Sequence, residues 1–246
     1  MRGAGGSTVA YMMDKIKSEF ATHGIDRIPA GWQFVHVDVP TAPDTDIAGV
    51  GSVVEQGGDY IATGPASGSY SIVDNDLSQT LNSASALGEI GTWAPRDPER
   101  ITTPIHSGAG QMPTVGRMIT LSRVADLGAG LARAASRLFL PETSEEMVGL
   151  NIPGGGHFWP EHSPIVLVIS SMAGGTGASM ALDVCRLLSE IPGLHPAATA
   201  AFILTPDFLD CLPPAARGGV RANGLATFGS CWQPKWALPT PTIQQF

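Results

Sequence analysis

Near the start of the chain Val9, Met12, Met13, Ile16 and Phe20 recur at helical spacing, which predicts an amphipathic helix. Ser7 or Thr8 can cap its start and Gly24 can end it. A Pro29-Ala30-Gly31 turn follows, and Trp32–Val39 then reads as a strand that finishes on an acid, Asp38. Further on, Ile119, Val124, Leu127, Leu131, Ala135 and Leu138 predict one long helix, weakened by Gly128 and Gly130. Ile165–Ile169 is a continuous apolar run, which predicts a parallel strand buried on both faces. A loop from Ser171 to Ser179 leaves it, followed by a helix with Ala181, Val184, Leu188 and Ile191 on one face and Pro192-Gly193 as its stop. Ala197–Leu204 reads as the next buried strand, so this stretch is a βαβ unit of right-handed crossover. The class is therefore α/β.

Two stretches break the pattern. Residues of about 40–100 are rich in Gly, Ser, Asp and Pro, with short strand-like pieces at Gly49–Val54 and Tyr60–Thr63. They are expected to form an insertion with little regular structure. From Gly229 onward the prolines forbid a continued helix, so 230–246 is expected to be an irregular tail on a domain spanning 1–229.

Composition narrows the classes. The chain has 246 residues, 43% of them hydrophobic, enough for a core and against disorder throughout. With 14 Lys and Arg against 22 Asp and Glu, the net charge is −8, and only 15% of residues are charged. Such a chain lacks the electrostatic footprint of a nucleic-acid or anionic-lipid binder. No apolar run reaches the roughly 18 residues of a membrane span, and no secretory h-region follows Met1–Gly6. Cys185, Cys211 and Cys231 form neither a disulfide framework nor a zinc pattern, so a cytoplasmic protein is expected.

The candidate chemistry lies in three glycine loops: Gly3–Thr8, His106–Pro113 and Ala173–Ser179. Glycines let backbone N–H groups converge on one spot, and a helix start behind the loop adds the positive end of a dipole. One such dipole contributes only roughly 0.3–1 kcal/mol, so the argument needs several loops at one sheet edge. The first loop departs from the dinucleotide fingerprint at Thr8, and no lysine follows the third, as a Walker A loop requires. Thr176 can contact phosphate or simply cap a helix. Asp38 can serve magnesium through water. Arg117 reads equally as a ligand contact or a solvated helix residue. His157 and His162, beside Glu161, lie on Pro-rich loop sequence and are not expected to hold a metal.

Ala173-Gly174-Gly175-Thr176-Gly177-Ala178-Ser179 resembles the tubulin/FtsZ phosphate-loop signature G-G-G-T-G-[ST]-G, departing from it at Ala173 and Ser179. Gly3-Ala4-Gly5-Gly6-Ser7 looks like the first phosphate loop of that family, and Asp38 like the acid serving the magnesium-proximal loop. Gly108-Ala109-Gly110-Gln111-Met112-Pro113-Thr114-Val115-Gly116-Arg117 is similar to the γ-phosphate loop G-A-G-x-x-P-x-x-G-R. Asn223, in Arg221–Leu225, stands where tubulins carry an Asn that reads the guanine edge; the bland alternative is decoration of an exposed helix. The overall fit is best to the bacterial, actinomycete tubulin-like proteins.

The resemblance implies a Rossmann-like three-layer parallel sheet, the N-terminal GTPase domain of the tubulin/FtsZ fold, in an incomplete form apparently truncated at both ends. It implies GTP and Mg2+ as cofactors and a bacterial cytoskeletal role, with self-association in the full-length form. The implied nucleotide-binding set is Gly5, Gly6, Ser7, Asp38, Gly108, Ala109, Gly110, Gly174, Gly175, Thr176, Gly177 and Asn223. The family's acidic hydrolytic loop belongs to a second domain, so hydrolysis is not expected of this chain alone and no catalytic residue is assigned. The competing readings are a nucleotide-binding scaffold without turnover and a dinucleotide-dependent oxidoreductase. Thr8 disfavours the latter, as does an acid lying well beyond the expected spacing of about 20 residues from the loop.

Overall fold

The computed structural model describes residues 3–43, 45, 49–81 and 94–232. Its longest helix, α1 (Ala4–Thr22), buries Gly6, Ala10, Met13 and Phe20, a face close to the one the apolar spacing predicts. It starts earlier than expected: Gly3 is the N-cap, and Ser7 and Thr8 lie inside the first turns. The Thr8 hydroxyl accordingly donates back to the Ala4 carbonyl at 2.9 Å instead of capping. Gly24, at φ 76°, turns the chain just past the helix end, where a left-handed residue suits glycine.

The strand β1 (Val35–Asp38) pairs in parallel with β2 (Asp59–Ala62), Val35 opposite Asp59 and Asp38 opposite Ala62. Within the segment 40–100, expected to hold little regular structure, the strand-like piece at Tyr60–Thr63 corresponds to β2, Gly49–Val54 forms no strand, and Tyr70–Leu81 forms the helix α2. Positions 82–93, within that segment, lie outside the described residues. Next come α3 (Pro113–Ser122) and α4 (Val124–Ser136), where one long helix was expected. Arg123, at φ −122° and ψ 21°, leaves the helical region and separates them. After α5 (Pro141–Gly149), β3 (Val166–Ser171), α6 (Gly177–Ser189) and β4 (Thr199–Leu204) build the expected βαβ unit, with β3 and β4 parallel from Val166 opposite Thr199 to Ser171 opposite Leu204. The last helix, α7 (Val220–Trp232), runs past Gly229, where the tail was expected to begin. Positions 233–246 lie outside the described residues.

Among the described residues the strands form two separate parallel pairs, β1–β2 and β3–β4, and not one continuous sheet. Helix α1 packs on both β1 and β3, and so spans the pairs. Helix α6 packs on β3 while joining α4 in a second apolar cluster. There Ile61, Leu127, Leu131, Met180 and Val184 pack together, with Val35 and Val37 against them. Another cluster, Val39, Tyr70, Val73, Leu77, Ile105, Ala109, Val115, Met118 and Ile119, fills the space under the second glycine loop. Within it Tyr70 is fully buried and donates to Asp74 at 3.1 Å. Burial first, and the Asp74 charge second, push its phenol well above the usual tyrosine range, so it stays neutral.

One expectation fails on the β3–β4 side. The apolar run of β3 and the strand β4 were both expected to be buried on both faces. Instead Ile165, Leu167 and Phe202 are exposed. Register explains it: Leu167 lies opposite Ala200 and Ile169 opposite Phe202, so these side chains share one face. Ser170, on the other face, is buried against the start of α6.

Candidate functional site

The second and third glycine loops end in helix starts, whereas Gly3–Thr8, expected as a loop, forms the N-cap and first turns of α1; none of the three starts has a side-chain cap. Gly3 precedes α1, Met112 precedes α3 and Thr176 precedes α6, and none makes a side-chain capping hydrogen bond. Thr176, expected to contact phosphate or else to cap the helix, makes no hydroxyl cap; its carbonyl accepts the Ser179 and Met180 N–H groups, each at 3.1 Å. The first turns of helices carry N–H groups without intrahelical partners, and these remain for another acceptor.

The three starts meet at the C-terminal ends of β1 and β3. A Cβ on Gly3 would lie 2.7 Å from Asp38 Oδ2, at the end of β1. A Cβ on Gly5 would lie 2.7 Å from the Ile169 carbonyl oxygen, near the end of β3. The second and third loops touch through backbone: the Gly175 N–H donates to the Gly110 carbonyl at 3.0 Å. A Cβ on Gly175 would come within 2.6 Å of that oxygen and 2.9 Å of the Ala109 one. Gly116, one turn into α3, packs directly on the Gly175 carbonyl. At Gly5, Gly116 and Gly175 glycine is required by close approach of backbone to backbone, and at Gly3 by the nearby Asp38 carboxylate. Positive φ matters elsewhere, at Gly108 (128°) and Gly110 (60°), where the second loop turns.

The remaining expected residues take distinct places. Gly6 is buried against the imidazole of His36. Ser7 sits in the first turn of α1 with its N–H on the Gly3 carbonyl at 3.1 Å. Ala109 belongs to the core beneath the second loop. Gly174 faces open space, with nothing within 4 Å of a Cβ built there. Gly177 opens α6 with Ser170 Oγ 2.7 Å from its would-be Cβ. Asn223, in the first turn of α7, donates through Nδ2 to the carbonyls of Gln111 at 2.8 Å and Ala173 at 3.1 Å.

Asp38 is largely buried, and its Oδ1 accepts the Val39 N–H at 2.7 Å. Its Oδ2 lies beside Gly3 and 3.9 Å from His36 Nε2. The His36 ring meets Tyr60 edge-on at 5.1 Å. A carboxylate beside the start of α1 is favourable to the helix dipole. Arg117 is partly solvated and held by an ion pair: its Nε and Nη2 reach Asp183 Oδ2 and Oδ1 at 3.0 and 3.3 Å, tying α3 to α6.

A family model described as tubulin like matches residues 3–230. The chain belongs to the tubulin-like family. Comparison with curated proteins finds no match, and neither does comparison with solved structures. In this tubulin-like chain the matched span takes in all three glycine loops, Asp38 and Asn223. No helix among the described residues is long and apolar enough to cross a membrane. Among those residues no group of three or more His, Cys, Asp or Glu side chains gathers as a metal site would require.

Two residues of the arrangement escape sequence reasoning. His36 precedes Asp38 by two positions, so strand period alone sets both on one face; that signal was present. Gln111 carries no such signal, because its partners Gly219 and Asn223 are more than a hundred positions away.

Proposed function

We propose that this tubulin-like chain binds a guanine nucleotide, GTP with Mg2+, on its three glycine loops. The observation that supports this best is the meeting of three helix starts without side-chain caps at the C-terminal ends of β1 and β3. Each dipole contributes roughly 0.3–1 kcal/mol toward an anion, and three acting on linked phosphates reinforce one another. In this reading Gly5, Gly6 and Ser7, Gly108, Ala109 and Gly110, and Gly174, Gly175, Thr176 and Gly177 hold the phosphates. Asp38 serves Mg2+ through water from Oδ2, since Oδ1 is taken by the Val39 N–H. The cation would offset the phosphate charge.

Asn223 reads the base. Both hydrogens of its Nδ2 are used on loop carbonyls, so toward a ligand the side chain acts only as an acceptor through Oδ1. Guanine offers donors at N1 and N2; adenine offers an acceptor at N1. The same reading takes the two strand pairs as parts of one Rossmann-like three-layer parallel sheet, and the protein as cytoplasmic and self-associating. Binding without turnover is proposed for this chain.

Calorimetric titration with GTP, ATP and NAD in the presence of magnesium tests the reading. GTP is expected to bind most tightly. Equal affinity for GTP and ATP, or binding of NAD alone, overturns it. Phosphate release at high protein concentration should stay at background, and a steady turnover would contradict binding without hydrolysis.

A further inference from the structure

The start of α7 is fastened to two glycine loops at once. The carboxamide nitrogen of Asn223 donates to the Gln111 carbonyl in the second loop and to the Ala173 carbonyl in the third, at 2.8 and 3.1 Å. Gln111 answers with its own side chain, whose Oε1 accepts the Gly219 N–H at 3.0 Å. Gly219 in turn accepts the Asn223 N–H on its carbonyl at 2.8 Å, closing a ring of bonds between the two segments. The approach is tight: a Cβ on Gly219 would stand 3.2 Å from the Gln111 carbonyl oxygen. Below the ring Ala173, Leu209 and Val220 form an apolar cluster. One turn further along α7, Gly224 packs directly on the Pro206 ring.

We infer that Gln111 and Asn223 form a clasp that holds the second and third glycine loops at a set spacing and couples that spacing to the position of α7. Gln111 is a positioning residue. It acts on the loops through Gly219 and Asn223 and makes no contact with the base. The physical reason is the weakness of the direct loop contact. Gly175 to Gly110 is a single backbone hydrogen bond between two glycine segments with much conformational freedom, and such a bond contributes little against that freedom. Two further bonds from one amide, with the Gln111 to Gly219 bond fixing the helix that carries it, restrict both loops together. A ligand that needs both loops in place then binds in the clasped arrangement, and its binding favours the docked position of α7 by reciprocity. This inference rests on the proposed nucleotide site only for its consequence in binding; the clasp itself is testable without nucleotide.

The test is backbone amide exchange of the nucleotide-free 246-residue chain, followed by titration with GTP and with ATP. In Gln111→Ala, exchange is expected to rise roughly fivefold to tenfold at Gly219 and through both 108–112 and 173–179, as loss of one hydrogen bond implies. Exchange in Val124–Ser136, the helix α4, should stay as in the parent chain. Gln111→Glu keeps an acceptor for the Gly219 N–H and is expected to restore protection. Asn223→Ala removes two bonds and should exceed Gln111→Ala in both loops. A rise confined to position 111, a rise spread equally over α4, or Glu behaving like Ala each overturns the clasp. In the titrations Gln111→Ala is expected to weaken both nucleotides through the loosened loops, and GTP further because the helix that carries Asn223 is no longer fixed. Parent-like affinity of Gln111→Ala for both nucleotides, in a parent chain that binds GTP, overturns its positioning role. If the parent chain binds no nucleotide, the proposed function fails, and the exchange measurements still decide the clasp.

Discussion

β1 and β2 turn Val35, Val37 and Ile61 into a layer packed by α4 and α6, whereas β3 and β4 leave Leu167 47% and Phe202 56% exposed. Both pairs are parallel, and both send a glycine-containing segment off a strand end. They differ in cover. Helices α4 and α6 lie against the first pair through Leu127, Leu131, Met180 and Val184. The face of the second pair that carries Ile165, Leu167 and Phe202 has no such layer among the described residues. The more apolar strand is therefore the more exposed one. Burial in a parallel sheet is conferred by the elements laid on its faces, and the apolarity of a strand states only what it could tolerate. The glycine loops sit at the end shared by both regions. Their geometry depends on α1 and α6, which bridge the pairs, more than on either strand's burial.

The largest contrast comes from matched truncations. Ile61→Ala, on the covered pair where the side chain packs against Gly130, is expected to lose about 2–5 kcal/mol. Leu167→Ala, on the open face, is expected to lose less than about 1 kcal/mol. Urea unfolding of both variants measures the difference; equal losses would mean that the open face is covered in solution.

At the junction, Gly175→Val should cost about 1–3 kcal/mol, because its Cβ meets the backbone oxygens of Gly110 and Ala109. The same change at Gly174, which faces open space, should cost much less. Nucleotide titration of the pair sharpens the reading. Gly175→Val should abolish GTP binding, and a variant that bound normally would remove the Ala173–Ser179 loop from the site.

Thr120 tests the covered side from within. Its hydroxyl is buried with no hydrogen-bond partner among the described residues. Thr120→Val should therefore raise stability by about 1 kcal/mol, since an unpaired buried hydroxyl is replaced by a methyl of similar size. A lower thermal midpoint in the variant would show that the hydroxyl has a partner in solution.

The smallest effect is expected at the link between the regions. Arg117→Ala removes the fork onto Asp183, but Arg186 still reaches Asp183 at 2.9 Å and Arg117 is partly solvated. A loss below about 1 kcal/mol, shrinking further in high salt, is the expected result of chemical denaturation. A loss that salt leaves unchanged would point to packing of the α3–α6 contact in place of charge.

Much of this was legible beforehand because the relevant signals are local. The helical face of α1, the run that became β3, the stop at Pro192-Gly193 and the three glycine loops all follow from residues within one turn or one strand of each other. Their spacing follows the backbone's own periods of 3.6 and 2. The tubulin-like resemblance was legible for the same reason, since its motifs are short and contiguous. The break at Arg123 was missed because the apolar positions keep helical spacing across it. β2 lies one residue from the strand-like piece read at Tyr60–Thr63, but its pairing with Val35–Asp38 joins residues more than twenty positions apart and has no local signal.

By itself, then, the chain's order of residues determined which segments could be helix, strand or glycine turn, and in what sequence they come. The tertiary structure alone decided that Gly175 must be glycine because the Gly110 carbonyl lies against it, that Leu167 faces outward, and that Asn223 joins Gln111 to Ala173. Each of these depends on atoms distant in sequence brought within a few ångströms. No local period records such distances, because they are fixed only when whole elements pack against one another.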